Sequence, residues 1–316
     1  MATATPAAVA VIDIGSNSIK LLLATRSPAG ELAVLHTRSI DARISAGISR
    51  DRPSLSEQGM ASALSAVRLL AADAAAQGAT DLRIVATSAV RDASNGHEFR
   101  ERVHAAAGTA PRILSGEEEA ALIGRGLLCD PALRDLRNFT VCDLGGGSLE
   151  CIGFAERAIR GKVSLPLGCV RLTERFVPDP TAPVPSTALA AVAAHTREGL
   201  IASAFDFTAT RGAILVGTGG TISTARAILG RRSGRKFEAS NPLVTLDALR
   251  TLLGDVAALH LADRQAIPGL AAARADVFPA ALATIVVLLE HAGANAVHHS
   301  VCNLRYGLAA EALEIR

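Results

Sequence analysis

A nine-residue pattern occurs twice in this chain, and its repetition constrains the fold more than any other feature. Val11–Ile19 reads V-I-D-I-G-S-N-S-I and Val141–Leu149 reads V-C-D-L-G-G-G-S-L, so Asp13 and Asp143 stand 130 positions apart (143 − 13). In both copies an apolar strand carries one aspartate, turns through small residues and continues as a second strand, which is typical of a β-hairpin. An ordinary tight hairpin would explain either copy alone, whereas the duplication predicts two similar domains.

The residue types in the two turns indicate an anion site. Small residues let backbone N–H groups approach an anion closely, and serine hydroxyls add further donors. An aspartate would repel phosphate unless a divalent cation lay between them. Asp13 and Asp143 therefore predict a metal-bridged phosphate site in which the two hairpins hold one ligand.

Length and charge restrict the class of protein. The 316 residues are 49% hydrophobic, which is sufficient for the cores of two domains. The 32 basic and 30 acidic residues nearly cancel, which excludes the global positive field of a non-specific nucleic-acid binder. Only Lys20, Lys162 and Lys236 are lysines, and the preference for arginine suits bidentate phosphate contacts or reflects a GC-rich genome.

Cysteine usage and hydropathy favour a cytoplasmic protein without membrane contact. The five cysteines are an odd number without C-x-x-C spacing, as expected for reduced thiols. Met1–Ala8 lacks the basic region of a secretory signal. The apolar stretch Val277–Leu289 contains Pro279 and is too short to span a bilayer, so we interpret it as a buried helix.

Hydrophobic periodicity predicts a βββαβαβα pattern in the first half of the chain. The predicted strands and the long first helix are Ala8–Ile14, Ile19–Thr25, Glu31–Ile40, Leu55–Gln77 (helix), Leu82–Thr87 and Arg112–Leu114. Capping boxes are predicted at Ser54-x-x-Glu57, Asn95-x-x-Glu98 and Ser115-x-x-Glu118, so that a helix should begin after each.

The second half begins with the same pattern and indicates the fold class: α/β, with duplicated ribonuclease H-like βββαβαβα domains and a cleft between them. The predicted elements are strands at Phe139–Leu144, Leu149–Ala155 and Arg160–Leu165, a connector at Pro178–Pro185, an alanine-rich helix and a strand at Ala213–Val216. The predicted domains are 1–128 and 129–303, and the segment 304–316 is a candidate to pack back on the first. Clefts between domains are favoured ligand sites.

Six segments, in order along the chain, resemble the signature blocks of the exopolyphosphatase/guanosine-pentaphosphate phosphohydrolase (Ppx/GppA) family. They are D-I-G-S-N-S (Asp13–Ser18), A-T-S-A-V-R-D-A-S-N (Ala86–Asn95), S-G-E-E-E-A (Ser115–Ala120), D-L-G-G-G-S-L-E (Asp143–Glu150), G-T-G-G-T (Gly217–Thr221) and P-G-L-A-A-A-R-A-D-V (Pro268–Val277). The resemblance covers nearly the whole chain and implies the fold of the actin/Hsp70/sugar-kinase superfamily, in agreement with the repeat. Longer members carry an additional C-terminal hydrolase domain, so we expect the short, two-domain form.

The resemblance implies the catalytic residues. Glu119 would orient and deprotonate the water that attacks a terminal phosphorus, and Arg91 would bind and polarise the phosphate. On local sequence alone, Glu117, Glu118 and Glu119 could instead stabilise the first turn of a helix by opposing its dipole. Glu118 is the expected cap partner of Ser115.

The resemblance also implies a metal site. Asp143 and Glu150 would hold a divalent ion, with Asp13 near it. Carboxylate oxygens suit Mg²⁺, with Mn²⁺ as an alternative. On spacing alone, Glu150 could instead form a cross-strand ion pair.

The implied substrate-binding residues offer cations, hydroxyls and N–H groups to a phosphate chain. They are Ser16, Asn17, Ser18, Lys20, Gly145, Gly146, Gly147, Ser148, Gly217, Thr218, Gly219, Gly220 and Arg274. The segment 217–220 precedes a helix, so it is either a second anion site or an ordinary strand-to-helix turn.

Two blocks depart from the family pattern. Residues 43–48 read R-I-S-A-G-I and lack the acid of the usual R-x-x-E-G-L-like block, and Leu304–Gly307 reads L-R-Y-G in place of L-R-E-G. These departures bear on substrate-length preference and leave the central phosphate-binding residues in place. His298 and His299 are adjacent on a predicted strand, so they face opposite sides and chelate a metal poorly.

The sequence therefore predicts an Mg²⁺-dependent exopolyphosphatase that removes terminal orthophosphate from inorganic polyphosphate by in-line attack of water. Guanosine pentaphosphate is the alternative substrate. Two further interpretations stay open: an ATP-dependent small-molecule kinase, and a non-catalytic sensor of nucleotide or polyphosphate. The resemblance implies a homodimer, and neither nucleic acid nor a membrane is an expected partner.

Overall fold

The chain folds into two compact units, each built on one mixed β-sheet. The computed structural model describes residues 7–207 and 215–315. Unit 1 comprises Met1–Leu133 together with Cys302–Arg316, and unit 2 comprises Arg134–Val301. The last segment of the chain thus belongs to the unit formed by the first.

The sheet of unit 1 has the strand order β3-β2-β1-β4-β5. Its strands are β1 (Ala8–Ile14), β2 (Ser18–Arg26), β3 (Leu32–Asp41), β4 (Asp81–Ala86) and β5 (Arg112–Ile113). β1 to β3 form an antiparallel meander, β4 runs parallel to β1, and β5 runs parallel to β4. The apolar runs of β1 and β2 are buried on both faces, whereas the edge strand β3 is largely exposed.

Four helices follow within the same stretch of unit 1. They are α1 (Glu57–Ala76), α2 (Ser88–Arg91), α3 (Gly96–Ala107) and α4 (Gly116–Leu128). Among the described residues, α1 is the one helix long and apolar enough to cross a membrane by length and composition. Its buried residues recur every three or four positions, and it packs against β1, β2 and α3.

One predicted capping box is confirmed and another is displaced. Ser115 Oγ accepts the Glu118 N–H (3.1 Å), and the Glu118 carboxylate accepts the Ser115 N–H (2.8 Å), so α4 begins as predicted. At α1 the prediction of Ser54 is wrong, because Ser56 is the N-cap residue. Glu57 is therefore the first helical residue and cannot be the third, as a box starting at Ser54 requires.

The capping box predicted at Asn95 is also wrong. α3 begins at Gly96, directly after Asn95, but the Asn95 side chain makes no capping bond. It pairs instead with both backbone groups of Leu55, at 2.8 and 2.9 Å. Asn95 thus fixes the chain entering α1, because its amide can donate and accept at once.

The sheet of unit 2 repeats that of unit 1 and adds one strand. Its strands are β6 (Phe139–Leu144), β7 (Leu149–Ala155), β8 (Ala158–Leu165), β9 (Leu215–Thr218), β10 (Leu243–Thr245) and β11 (Ala296–His299). Their order is β10-β11-β9-β6-β7-β8, so β8-β7-β6-β9-β11 matches β3-β2-β1-β4-β5 and β10 extends the edge. Of the strand predicted at Ala213–Val216, positions 213 and 214 lie outside the described residues.

The helices of unit 2 include one that is buried almost throughout. The series is α5 (Cys169–Phe176), α6 (Ser186–Ala202), α7 (Gly219–Arg232), α8 (Leu246–Ala257), α9 (Leu261–Gln265) and α10 (Phe278–Ala292). α10 covers the stretch interpreted as a buried helix and packs against α6 and α8. All five cysteines are free thiols, and four of them are buried.

The final helix, α11 (Leu304–Ala312), packs on α4 in unit 1. Two glycines allow the close approach: a Cβ on Gly126 would lie 2.0 Å from Asn303 O, and one on Gly307 would lie 1.9 Å from Leu122 O. Arg305 of α11 also donates to Leu21 O of β2 (3.2 Å). α11 therefore fixes α4 against the sheet through backbone contacts that no larger residue would permit.

Candidate functional site

In unit 1 the predicted site residues gather at the carboxyl ends of parallel strands. β1 leads into the first turn, β4 into α2, and β5 into α4. The Ser16 and Ser88 hydroxyl oxygens lie 3.2 Å apart, which joins the turn to α2. Ligands of open α/β sheets bind at this edge, because loops and helix N-termini meet there.

The turn of unit 1 presents its N–H groups on one side. Gly15 N–H closes the turn on Ser18 O (3.3 Å). The Ser16 and Asn17 carbonyls accept backbone N–H groups from the segment 42–45, at 3.0 to 3.3 Å. In a trans peptide the N–H points opposite to the C=O. The N–H groups of Asn17 and Ser18 therefore point away from that segment, where they could meet an anion.

The turn of unit 2 shows this arrangement more fully. Gly145 N–H closes the turn on Ser148 O (3.0 Å). The Gly145 and Gly146 carbonyls accept N–H groups from the first turn of α5 at 2.9 to 3.3 Å, and the Gly147 carbonyl accepts Arg171 Nε (3.1 Å). By the same geometry the N–H groups of Gly146, Gly147 and Ser148 point away from α5. Three successive donors on one side form a backbone anion site.

Arg171 is a residue that the sequence analysis missed. Its role depends on α5, a helix that periodicity did not predict. α5 can begin against the turn only because of Gly168, where a Cβ would lie 2.2 Å from Gly147 C. The local signal was the sequence G-C-V-R (Gly168–Arg171) directly after a predicted strand.

Asp143 and Glu150 form the carboxylate pair of unit 2. They are register partners in the antiparallel pair β6–β7, so their side chains lie side by side on one face of the sheet. Glu150 is 1% exposed and accepts the Ser164 hydroxyl (2.7 Å). The Asp143 carboxylate lies against the start of α7, since a Cβ on Gly219 would be 2.1 Å from Oδ1.

These two carboxylates fit a divalent cation. Two like charges side by side, one of them buried, repel each other unless a cation neutralises them. Among residues 7–207 and 215–315, no group of three or more His, Cys, Asp and Glu side chains could hold a metal ion. Mg²⁺ does not require one, because it is commonly held by one or two carboxylates with water and phosphate oxygens completing its shell.

Asp13 lies in a different environment from Asp143. Its register partner is Lys20, and Arg305 adds a second positive charge nearby. Burial raises the pKa of Asp13, and the two cations partly offset this effect. Its Oδ1 is buried and has no hydrogen-bond partner within the described chain, so it could accept a bond from a ligand. Participation of Asp13 in a metal site stays a prediction.

Arg91 and Glu119 are in direct contact in unit 1. Arg91 NH1 donates to Glu119 Oε2 (2.9 Å) and to Leu114 O (3.0 Å). Glu119 is 7% exposed and lies in the first turn of α4, whose dipole favours a carboxylate there. This ion pair fixes the orientation of Glu119, and its catalytic role stays a prediction.

The segment 217–220 packs closely with Arg274. A Cβ on Gly220 would lie 1.9 Å from Arg274 NH1, so the guanidinium covers the start of α7. Gly219 has φ +83°, a left-handed conformation that glycine adopts without strain. Thr218 is the register partner of Asp143 in the parallel pair β6–β9. The segment thus combines a helix N-terminus with a cation, as an anion site requires, although the same geometry serves a strand-to-helix turn.

Comparison with known proteins identifies the family. The model of the Ppx/GppA phosphatase family matches residues 9–315. The structure is similar to an exopolyphosphatase from Cytophaga hutchinsonii, with a TM-score of 0.86 and 25% identity over 97% of this chain and 98% of that chain. It is also similar to the Aquifex aeolicus member of the Ppx/GppA family, with a TM-score of 0.78 and 23% identity over 98% of this chain and 99% of that chain. The chain belongs to the Ppx/GppA phosphatase family and has its actin-like α/β fold.

Proposed function

We propose that this chain is an Mg²⁺-dependent exopolyphosphatase that releases terminal orthophosphate from inorganic polyphosphate. Membership of a phosphatase family supports hydrolysis, and a similar structure is that of an exopolyphosphatase. The observation that carries the proposal is in unit 2, where the turn Gly145–Ser148 directs three N–H groups away from α5, beside the Asp143–Glu150 pair. N–H donors and a carboxylate pair at one sheet edge suit a phosphate together with a cation.

Asp143 and Glu150 would hold the ion, and the N–H groups of the turn would bind phosphate oxygens. A bound Mg²⁺ would neutralise phosphate oxygens and draw charge from the phosphorus. Arg274 lies over the start of α7 in the same unit. Its guanidinium would stabilise the negative charge that develops on the oxygens of the transferring group.

Glu119 would accept the proton in the hydrolytic step. The water oxygen forms a bond to the terminal phosphorus as the bond between that phosphorus and the bridging oxygen breaks. The electron pair leaves with the bridging oxygen of the shortened chain, and the water proton passes to a Glu119 carboxylate oxygen. Arg91 holds Glu119 Oε2 at 2.9 Å, so the carboxylate is oriented before substrate arrives.

Guanosine pentaphosphate ends in the same phosphoanhydride and is the second candidate substrate. The predicted site residues contain no aromatic side chain that could stack on a guanine base. Their cations, hydroxyls and glycines match a phosphate chain instead. This composition favours polyphosphate over the nucleotide.

A comparison of substrates tests the proposal. Phosphate release would be measured from long polyphosphate, tripolyphosphate, guanosine pentaphosphate and ATP, with Mg²⁺ and with EDTA. We expect release from long polyphosphate that depends on Mg²⁺. Release confined to guanosine pentaphosphate would reverse the order of substrates, acceptor-dependent consumption of ATP would indicate a kinase, and tight binding without release would indicate a sensor.

A further inference from the structure

A basic segment lies at the far end of α7 from Gly219 and Gly220. Four of the six residues 231–236 are Arg or Lys, in a chain with a net charge of only +2. All four are exposed. Arg232 pairs with Asp255 (2.7 Å), whereas Arg231, Arg235 and Lys236 make no ion pair within residues 7–207 and 215–315. The chain therefore has a local positive surface despite its balanced total charge.

A pocket of about 280 Å³ adjoins this segment. Two arginines line it, together with serine and asparagine side chains and an apolar wall, and no carboxylate does. The lining residues are Arg226, Leu229, Gly230, Ser233, Arg235, Ser240, Asn241, Leu243 and Val244. A pocket with two cations and no acid suits an anion.

Arg226 is the inner cation of the pocket. It donates to Ser240 Oγ and O (3.0 and 2.9 Å) and to Phe237 O (3.1 Å), and NH1 lies 3.2 Å from His299 Nδ1. Every one of these acceptors is neutral when Nδ1 is unprotonated. Burial lowers the pKa of Arg226, and Glu238 offsets this only in part. An anion in the pocket would therefore relieve the desolvation of this cation.

The pocket is held in shape by backbone contacts. Arg235 N–H donates to Gly230 O (2.8 Å), which turns the chain back over the end of α7. A Cβ on Gly230 would lie 2.8 Å from Ser240 Cβ, so the loop packs directly on the helix. Arg235 is consequently placed at the pocket by the fold and not by a freely moving loop.

Distance separates this pocket from the candidate active site. α7 has 14 residues, and at about 1.5 Å per residue its two ends are about 20 Å apart. Both ends belong to unit 2. Tripolyphosphate is too short to occupy both places, whereas a long polyphosphate chain can reach both.

We propose that Arg226, Arg231, Arg235 and Lys236 form a distal site for a long polyphosphate chain whose terminus lies in the candidate active site. This inference rests on the proposed function. Phosphates along the chain bind the exposed cations, and one enters the pocket toward Arg226. Nucleic acid fits less well, because Phe237 is covered by the Arg226 guanidinium, which lies 4.6 Å from the ring centroid, so it offers no open face for a base.

Equilibrium binding tests the distal site independently of turnover. Binding of fluorescently labelled long polyphosphate would be measured in the Glu119→Gln background, with and without Arg231→Gln and Arg235→Gln. The matched control is Arg26→Gln with Arg68→Gln, which removes the same charge from exposed positions of unit 1. We expect the affinity for long polyphosphate to fall about tenfold in the distal variant only, with a weaker dependence on salt.

The other ligands decide between explanations. Tripolyphosphate should bind the distal variant as well as it binds the parent. Unchanged affinity for the long chain, or an equal loss for long and short chains, would overturn the distal site. Single-stranded DNA of equal charge that bound as tightly, with the same loss, would assign the surface to nucleic acid. If wild type bound long polyphosphate but released no phosphate, only the proposed hydrolysis would fail.

Discussion

At the scale of single residues, the two hairpins have equivalent backbones but different charges. Lys20 faces Asp13 and Glu150 faces Asp143, and these partners are again 130 positions apart (150 − 20). Unit 1 therefore pairs a carboxylate with a cation, whereas unit 2 pairs two carboxylates. Both aspartates could be found from the repeat, but the difference between their partners follows from strand register.

The contact between Arg91 and Glu119 shows what local sequence cannot supply. The two residues are 28 positions apart and meet because β4 and β5 are parallel neighbours whose ends carry α2 and α4. Each residue was predicted from the family resemblance. Their ion pair depends on tertiary structure, since periodicity determines elements and not which side chains touch.

Arg171 offers a test of the turn geometry. Arg171→Met removes the donor that holds the Gly147 carbonyl, so the Ser148 N–H should lose its alignment. We expect KM for polyphosphate to rise about 5- to 10-fold, with kcat changed less, as for the loss of one hydrogen bond. Steady-state kinetics with Arg175→Met, an exposed change on the same helix, provide the control. Equal effects in the two variants would contradict the positioning role.

At the scale of elements, α4 depends on its capping box. The Ser115 N–H, and then Arg112, lower the pKa of Glu118 to about 2. A lowered folded pKa means that the charged form stabilises the fold above the unfolded value of 4.5, and this stability is lost as pH falls through about 2. We expect Glu118→Ala to reduce the free energy of unfolding by about 1 kcal/mol at pH 7. Urea unfolding should show this difference shrinking below pH 4.5, and a constant difference would contradict it.

The seam between α4 and α11 should tolerate no side chain at its glycines. Gly126→Ala places a Cβ 2.0 Å from Asn303 O, so backbone must move, at a cost of about 1–3 kcal/mol. Gly254→Ala on α8 is the control, because a Cβ there meets nothing within 4 Å and should stabilise by about 0.5–1 kcal/mol. Urea unfolding that gave both variants the same sign would contradict this packing.

Elements were predicted best where apolar pattern and burial coincide. β1, β6 and β7 have the predicted bounds. The short helices α2 and α5 were missed, because four to eight residues give too little periodicity. The caps at Ser54 and Asn95 were wrong because Ser and Asn have other local uses, and tertiary contacts decide among them.

At the scale of the whole molecule, the duplication was readable from one repeated hairpin. The repeated strand order in the two sheets bears it out. The basic segment 231–236 is visible in the sequence, but its pocket depends on how Gly230 and Ser240 pack. Composition averages over such a surface, which is why a nearly neutral chain conceals it.

The thiols provide a test across the molecule. Burial raises the pKa of Cys129, Cys142 and Cys151, and only Cys129 is partly exposed. Since the thiolate is the reactive form, iodoacetamide at pH 7.5 should add at most one group to the native protein and five after unfolding in urea. Intact-mass spectrometry counts the adducts. Rapid addition of several groups to the native protein would contradict the burial.

The most direct measurement compares two adjacent glutamates on α4. Glu119→Gln removes the proposed base, and Glu118→Gln changes its neighbour while keeping an amide that can still cap the helix. Phosphate release from long polyphosphate with Mg²⁺ should fall at least about 100-fold in Glu119→Gln and stay within about threefold of wild type in Glu118→Gln. Folded Glu119→Gln protein that turned over polyphosphate like wild type would contradict the account.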